Sequence, residues 1–259
     1  MATPPASPDS AGMPRIFYAR AGLPAAGHAA REPLLAGARR AGFTAVLAPV
    51  PWLRPPGALS LAPVDADRAF TAAGGTEPLE ARLARDVRSV ADHGMTLLLR
   101  LELPRVARDA VDGTAPAAWY RDPVDDPARD PRLPLSEHGV RQLREDPPAD
   151  FIAAWAARLR RWTHAGVGGY VVQAQPRLEG HAWQALFAPS RQANAALRCL
   201  AWTAGLSPEA LVTLRGAGFD RVFSSLPWWD YRAPWLAEEW ERLRAIAPVI
   251  APACCRPAT

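Results

Sequence analysis

The residues of this chain that could do chemistry gather at the ends of short apolar runs. The stretch "GYVVQAQ" at 169–175 is the first of these. Its β-branched core, introduced by Gly166, Gly168 and Gly169, has the composition of a strand buried on both faces. In parallel α/β folds such a strand delivers its last side chains to an active-site rim. Here those are Gln173 and Gln175, neutral amides that neither attack nor carry a proton. At 96–103, "TLLLRLEL" places Arg100 and Glu102 on one strand face by alternation. They read as an Arg–Glu pair, with Glu102 as a relocated acid in the alternative. Glu179 reads as a charge at a helix N-terminus, or as a second relocated acid. At 227–232, "PWWDYR" sets Trp228 and Trp229 beside Asp230. Tryptophan faces stack on sugar rings and a neighbouring carboxylate accepts hydroxyl hydrogen bonds. The alternative packs both rings under the next helix with Trp235, and Asp230 caps that helix.

Other reactive types are sparse. Ser224 and Ser225 stand outside any nucleophile elbow. Histidines 28, 93, 138, 164 and 181 have no ligand spacing, so no metal and no cofactor is expected. His93 and His164 precede glycines at helix ends, where a cation suits the dipole. Cys199, Cys254 and Cys255 give neither a disulfide framework nor a metal pattern, which fits a reducing cytoplasm.

The elements that must position these residues alternate regularly. Seven strands are expected, at 15–20, 43–48, 96–103, 169–174, 197–203, 221–226 and 249–254. Amphipathic helices lie between them, at 31–42, 77–94, 149–166, 207–218 and 233–247. Gly42 and Gly94 are helix stops. The second strand is expected to run into a Pro-rich loop containing Trp52. Strands separated by helices build a parallel sheet, and no G-x-G-x-x-G turn follows the first strand, which weakens a dinucleotide fold. The expected fold class is therefore α/β, a (β/α)8 TIM-barrel-like domain with about seven strands. Residues 104–148, dense in Pro and Asp, should be an insertion after the third strand, and residues 1–14 a disordered tail.

Composition excludes several classes. The 259 residues, 49% hydrophobic and 22% charged, suit one large domain with a substantial core. All 30 basic residues are arginine, which together with abundant Ala and 28 Pro reflects coding bias more than chemistry. The arginines alternate with acids, so no nucleic-acid surface is expected at a net charge of +4. No apolar run reaches membrane-spanning length, and the N-terminus lacks a secretory pattern.

The order of segments resembles the α-amylase superfamily, glycoside hydrolase family 13, and within it the amylase-like domain of bacterial α-glucan maltosyltransferases. "AGFTAVLAPVPWLRPPG" is similar to the second strand and loop, and "AAGGTEPLEARLARDVRSVADHGMTLLLRLELPRVA" to the third-strand motif with its helix. "GVGGYVVQAQ" is similar to the fourth-strand motif, and "GAGFDRVFSSLPWWDYRAPW" to the sixth strand and loop. The resemblance implies retaining chemistry by a carboxylate nucleophile and an acid about 5 Å apart at strand ends. Carried over by position, however, Arg100 stands where the family has Asp, and Pro104-Arg105 where it has Asn-His. Val171 stands at the arginine, Gln173 at the nucleophile and Trp202 at the acid, while "PVIAPACC" offers no His-Asp pair. The implied protein is a catalytically degenerate amylase-like module, a pseudoenzyme, of an α-glucan system. It would hold a glucan or pack on an active amylase-type domain in the same or a neighbouring polypeptide. Candidate sugar contacts are Trp52, Gln173, Trp202, Trp228, Trp229 and Asp230; Trp52 also reads as core. Two other functions stay open. One is an active glycosidase or maltosyltransferase with displaced carboxylates such as Glu102 and Asp230, and the other is an interaction domain without sugar affinity.

Overall fold

The computed structural model describes residues 14–25, 28–54, 62–110, 116–122, 139–144, 147–174, 178–203, 206–223 and 233–250. Seven parallel strands form its main sheet: β1 (Ile16–Tyr18), β2 (Ala45–Pro49), β6 (Thr96–Leu101), β10 (Gly169–Gln173), β11 (Arg198–Trp202), β12 (Arg221–Phe223) and β13 (Val249–Ile250), in that spatial order. They fall where the seven apolar runs lie. Helices α1 (His28–Arg40), α2 (Leu79–Ala91), α3 (Ala149–His164), α4 (Gly180–Ala193), α5 (Pro208–Thr213) and α6 (Ala233–Arg244) intervene. Among the described residues β1 and β13 are the sheet edges, so the sheet is the arc of a barrel.

Two smaller sheets sit off this arc. β3 (Trp52–Leu53), β4 (Asp65–Phe70) and β5 (Thr76–Pro78) pair antiparallel where a Pro-rich loop was expected, and α2 accordingly starts at Leu79 rather than 77. Only Ala66 and Ala69 of "DADRAF" are buried, so small side chains gave the alternation little hydrophobic contrast. Within the 104–148 stretch, β7 (Arg105–Ala107), β8 (Tyr120–Arg121) and β9 (Val140–Leu143) form a second antiparallel sheet in the order β7-β9-β8.

The pleat divides the parallel sheet into two apolar faces. Val46, Leu97, Leu99, Tyr170, Val172, Ala201 and Val222 join the large cluster under the helices, whereas Ala45, Leu47, Leu98, Val171, Leu200 and Phe223 form a smaller cluster on the concave side. In α3, Phe151, Trp155, Leu159 and Trp162 recur at helical spacing and are buried. Trp155 and Trp162 meet the Trp52 ring edge-on, at centroid distances of 6.1 and 6.2 Å. Each such ring withdraws about 150–250 Å² from water, an upper contribution of about 4–6 kcal/mol. Gly169 is required where β10 starts. A Cβ there would collide with the Arg198 carbonyl oxygen and lie 2.8 Å from Leu98 Cδ2.

One polar group is buried with the apolar ones. Asp86 of α2 receives Arg31 Nη1 at 2.9 Å and Arg82 Nε at 3.0 Å, and all three residues are 2–3% exposed. The two guanidiniums also donate to the carbonyls of Pro24 and Leu23, so one carboxylate ties α1 and α2 to the segment after β1. Neutralising Asp86 would leave two buried cations uncompensated. Asp86→Asn should therefore lower the unfolding free energy by about 3–5 kcal/mol in urea denaturation.

The end of α2 carries a pH-dependent contact. His93 Nδ1 lies 2.9 Å from the Ser89 carbonyl and Nε2 lies 3.1 Å from Glu32. The Ser89 carbonyl, then Glu32, raise its pKa above the ordinary 6.5. A raised cationic pKa stabilises the fold fully below the unfolded value and loses that contribution as pH rises through the folded one. The stability gap between wild type and His93→Gln should be widest near about pH 5.5 and nearly closed by about pH 8.5, read by denaturant titration at each pH.

Candidate functional site

Alternation and register settle which side chains occupy the concave rim at the strand ends. Pro49 pairs with Arg100, Arg100 with Val171, Gln173 with Trp202 and Trp202 with Phe223. Neighbours in register on parallel strands share a face, so Arg100, Val171, Gln173, Trp202 and Phe223 lie on the concave side, together with Tyr18 of β1. Val171 and Phe223 are buried in the small concave cluster, against which the half-buried Trp202 packs at 5.3 Å from the Phe223 ring. Arg100 and Gln173 are half-buried and Tyr18 is exposed.

The predicted Arg100–Glu102 pair is not the one that forms. Arg100 reaches over Pro49 and donates from Nη1 to the Tyr18 hydroxyl at 2.7 Å. Glu102, the residue after β6, is 1% exposed and its Oε1 accepts from Arg105 Nε at 2.8 Å. β6 ends at Leu101 and β7 begins at Arg105, so the turn between them brings the Arg105 guanidinium onto Glu102. Glu102 Oε2 is enclosed with no hydrogen-bond partner. Glu102 is thus a buried counter-ion to Arg105.

The other candidates separate. Glu179 is 69% exposed at the start of α4, with His181 Nδ1 at 3.4 Å, and its side chain makes no capping bond. Trp52 is 1% exposed and its ring meets Trp155 and Trp162, so it belongs to the core. Gln175, Trp228, Trp229 and Asp230 lie outside the described residues, as do Ser224, Ser225, Cys254 and Cys255. Cys199 is on the helix-side face of β11, where burial pushes its thiol up to about 12 and leaves it without nucleophilic character. Tyr120 of β8 donates to the Leu103 carbonyl, and its phenol too is pushed upward by burial. Among the described residues no group of three or more His, Cys, Asp or Glu could hold a metal ion, and no helix is long and apolar enough to cross a membrane.

Tyr18 and Arg105 were missed as partners from the sequence. Alternation within "IFY" marks Tyr18 as facing one side of the sheet, but its contact with Arg100 spans 82 residues. Arg105 was noted only as a departure from a family motif, although its three-residue distance from Glu102 marks it as a partner across a tight turn.

The geometry defines a class first. An arc of seven parallel strands, helices outside and an inserted sheet after the third strand give the α-amylase type of (β/α) barrel. The chain superposes on an α-amylase from Lactobacillus plantarum with a TM-score of 0.62 at 17% identity, covering 88% of this chain and 55% of that one. A noncanonic maltogenic α-amylase from Thermotoga neapolitana gives 0.61 at 14% identity, with coverages of 90% and 57%. A debranching enzyme from Nostoc punctiforme gives 0.61 at 11%, with coverages of 86% and 53%. At these identities the likeness establishes the fold. In sequence, the chain is 40% identical over 173 residues to the α-1,4-glucan:maltose-1-phosphate maltosyltransferase of Burkholderia pseudomallei strain K96243. That match takes in 65% of this chain and 15% of the relative, so the chain corresponds to a minor part of that enzyme. No family model matches the sequence. The sequence likeness is thus to part of a maltosyltransferase, and the fold likeness is to α-amylases and a debranching enzyme.

The Glu102–Arg105 pair can be tested alone. Arg105→Gln strands a buried carboxylate and should cost about 3 kcal/mol or more, whereas the double variant with Glu102→Gln should recover most of that loss. Equal losses in the single and double variants, measured by urea denaturation, would contradict the pairing.

Proposed function

We propose that this chain is a non-catalytic amylase-like barrel module of an α-1,4-glucan maltosyltransferase system, in which its concave rim holds a glucan chain. One observation carries this reading. The strand ends that would present a nucleophile and an acid have Gln173 and Trp202 instead, and the carboxylate that follows β6, Glu102, is 1% exposed and bound to Arg105. Glycosyl transfer with retention needs two carboxyl groups about 5 Å apart at the same sugar. An amide can accept and donate hydrogen bonds to hydroxyls but cannot form the covalent intermediate, and an indole cannot protonate a leaving oxygen.

What remains suits holding a sugar. Trp202 offers part of an aromatic face beside the Gln173 amide, and Tyr18 adds a hydroxyl at the opposite side of the rim. The sequence relative supports the class of ligand, since its name specifies an α-1,4-glucan, while the substituted positions support the loss of turnover. A further reading, an interaction domain without sugar affinity, draws on the apolar concave cluster of Leu98, Val171 and Leu200.

The purified chain should show no hydrolysis of, and no maltosyl transfer to, α-1,4-glucans. It should still be retarded in affinity electrophoresis through glycogen, with retardation cut several-fold in Trp202→Ala at a temperature where the variant remains folded by circular dichroism. Measurable turnover that disappears in Asp230→Asn would favour displaced carboxylates. Unretarded migration of a folded chain would favour the interaction domain.

A further inference from the structure

We propose that the outer face of α3 and α4 is the contact through which two copies of this chain associate. Helix α3 has two apolar faces. Phe151, Trp155, Leu159 and Trp162 face the core and are buried. On the far side Ala149, Ala153 and Ala157 recur at four-residue spacing and are exposed. With Ile152, and with Ala185 and Pro189 of α4, they line a groove of about 450 Å³ between the two helices. A helix that serves a single core needs one apolar stripe and turns charge to the water. Helix α6 has that arrangement, for its exposed side carries Glu238, Glu241, Arg242 and Arg244.

The charges on α3 select a second copy as the occupant. Arg158 and Arg161 are engaged within the chain, by Asp67 and Glu80. Asp150 and Arg160 instead stand exposed at opposite ends of the alanine stripe. A two-fold axis level with Trp155 lays the same face of a second molecule antiparallel on the first. Each Ala153 then meets the partner's Ala157, and each Asp150 meets the partner's Arg160, because both pairs are centred on the same position. A parallel alignment would set like charges side by side. Alanines on both sides let the helix axes approach to about 8 Å, within reach of an arginine side chain. The 16 residues of α3 span about 24 Å, and two helices together are about 20 Å wide, so each copy offers about 500 Å². A stable interface takes about 800 Å² per partner, so this dimer is weak and comes apart on dilution.

Sedimentation velocity between about 5 and about 500 µM covers the range in which so small an interface dissociates. The wild-type chain should pass from monomer to dimer across it. Ala157→Glu, at an exposed helical position, should keep the chain monomeric with an unchanged circular dichroism spectrum. Asp150→Arg or Arg160→Asp alone makes two attractive pairs repulsive and should weaken association about tenfold. The double variant Asp150→Arg with Arg160→Asp restores opposite charges and should recover wild-type association. A wild-type chain that stays monomeric throughout would overturn the proposal. So would a dimer that Ala157→Glu leaves intact, or a folded double variant that associates no better than the single ones.

Discussion

The parallel pairing of β6, β10 and β11 governs everything that the concave rim contains. Its register runs from Leu98 beside Gly169 and Arg198 to Gln173 beside Trp202. A shift of one residue would turn Arg100, Gln173 and Trp202 toward the helices and bring Leu99, Val172 and Ala201 to the rim. The register is held because both faces are apolar and differently shaped. The helix side packs against the Trp52, Trp155 and Trp162 rings, and the concave side closes on a smaller set of aliphatic side chains. Arg100 and Gln173 thus stand at the last inward positions of their strands, where the barrel opens, while Arg198 and Arg221 take the first inward positions of β11 and β12 at the other end.

The main sheet was largely legible because parallel strands buried on both faces read as unbroken apolar runs. "TAVLAP", "TLLLRL" and "GYVVQ" differ sharply from the amphipathic stretches that flank them. The antiparallel β3–β5 sheet was not legible, since its inward residues Ala66 and Ala69 scarcely differ from the alanines common throughout the chain. At the rim, likeness to the α-amylase strand motifs pointed to Arg100, Val171, Gln173 and Trp202, and the register places all four on one face of the sheet. Pairing was beyond its reach. Glu102 was matched with Arg100 by strand periodicity, but the strand ends at Leu101 and the turn that follows re-aims the carboxylate toward Arg105. Contacts such as Arg100 to Tyr18 are made by the tertiary fold across a third strand.

Charge in this chain is organised by burial more than by number. Thirty arginines give the surface a mixed, weakly basic character, while a few are placed where water is excluded and a specific anion is supplied. Asp86 serves Arg31 and Arg82 from the centre of three segments, and Glu102 serves Arg105 at the turn into the inserted sheet. Arg54, at the end of β3, lacks such a counter-ion among the described residues, and burial lowers its pKa. Carboxylates used in this way are committed to holding the frame, and the chemistry of the rim has to be made from what is left.

The tight glycine at the beginning of β10 has a consequence for how such a barrel changes over time. Its surroundings are backbone and branched carbon, so almost any replacement there would force two neighbouring strands apart. Four residues later the same strand ends at the half-buried Gln173, beside Trp202. The framework is tightly packed where β10 begins and looser where it ends, so the side chains at the rim can differ without parting the strands.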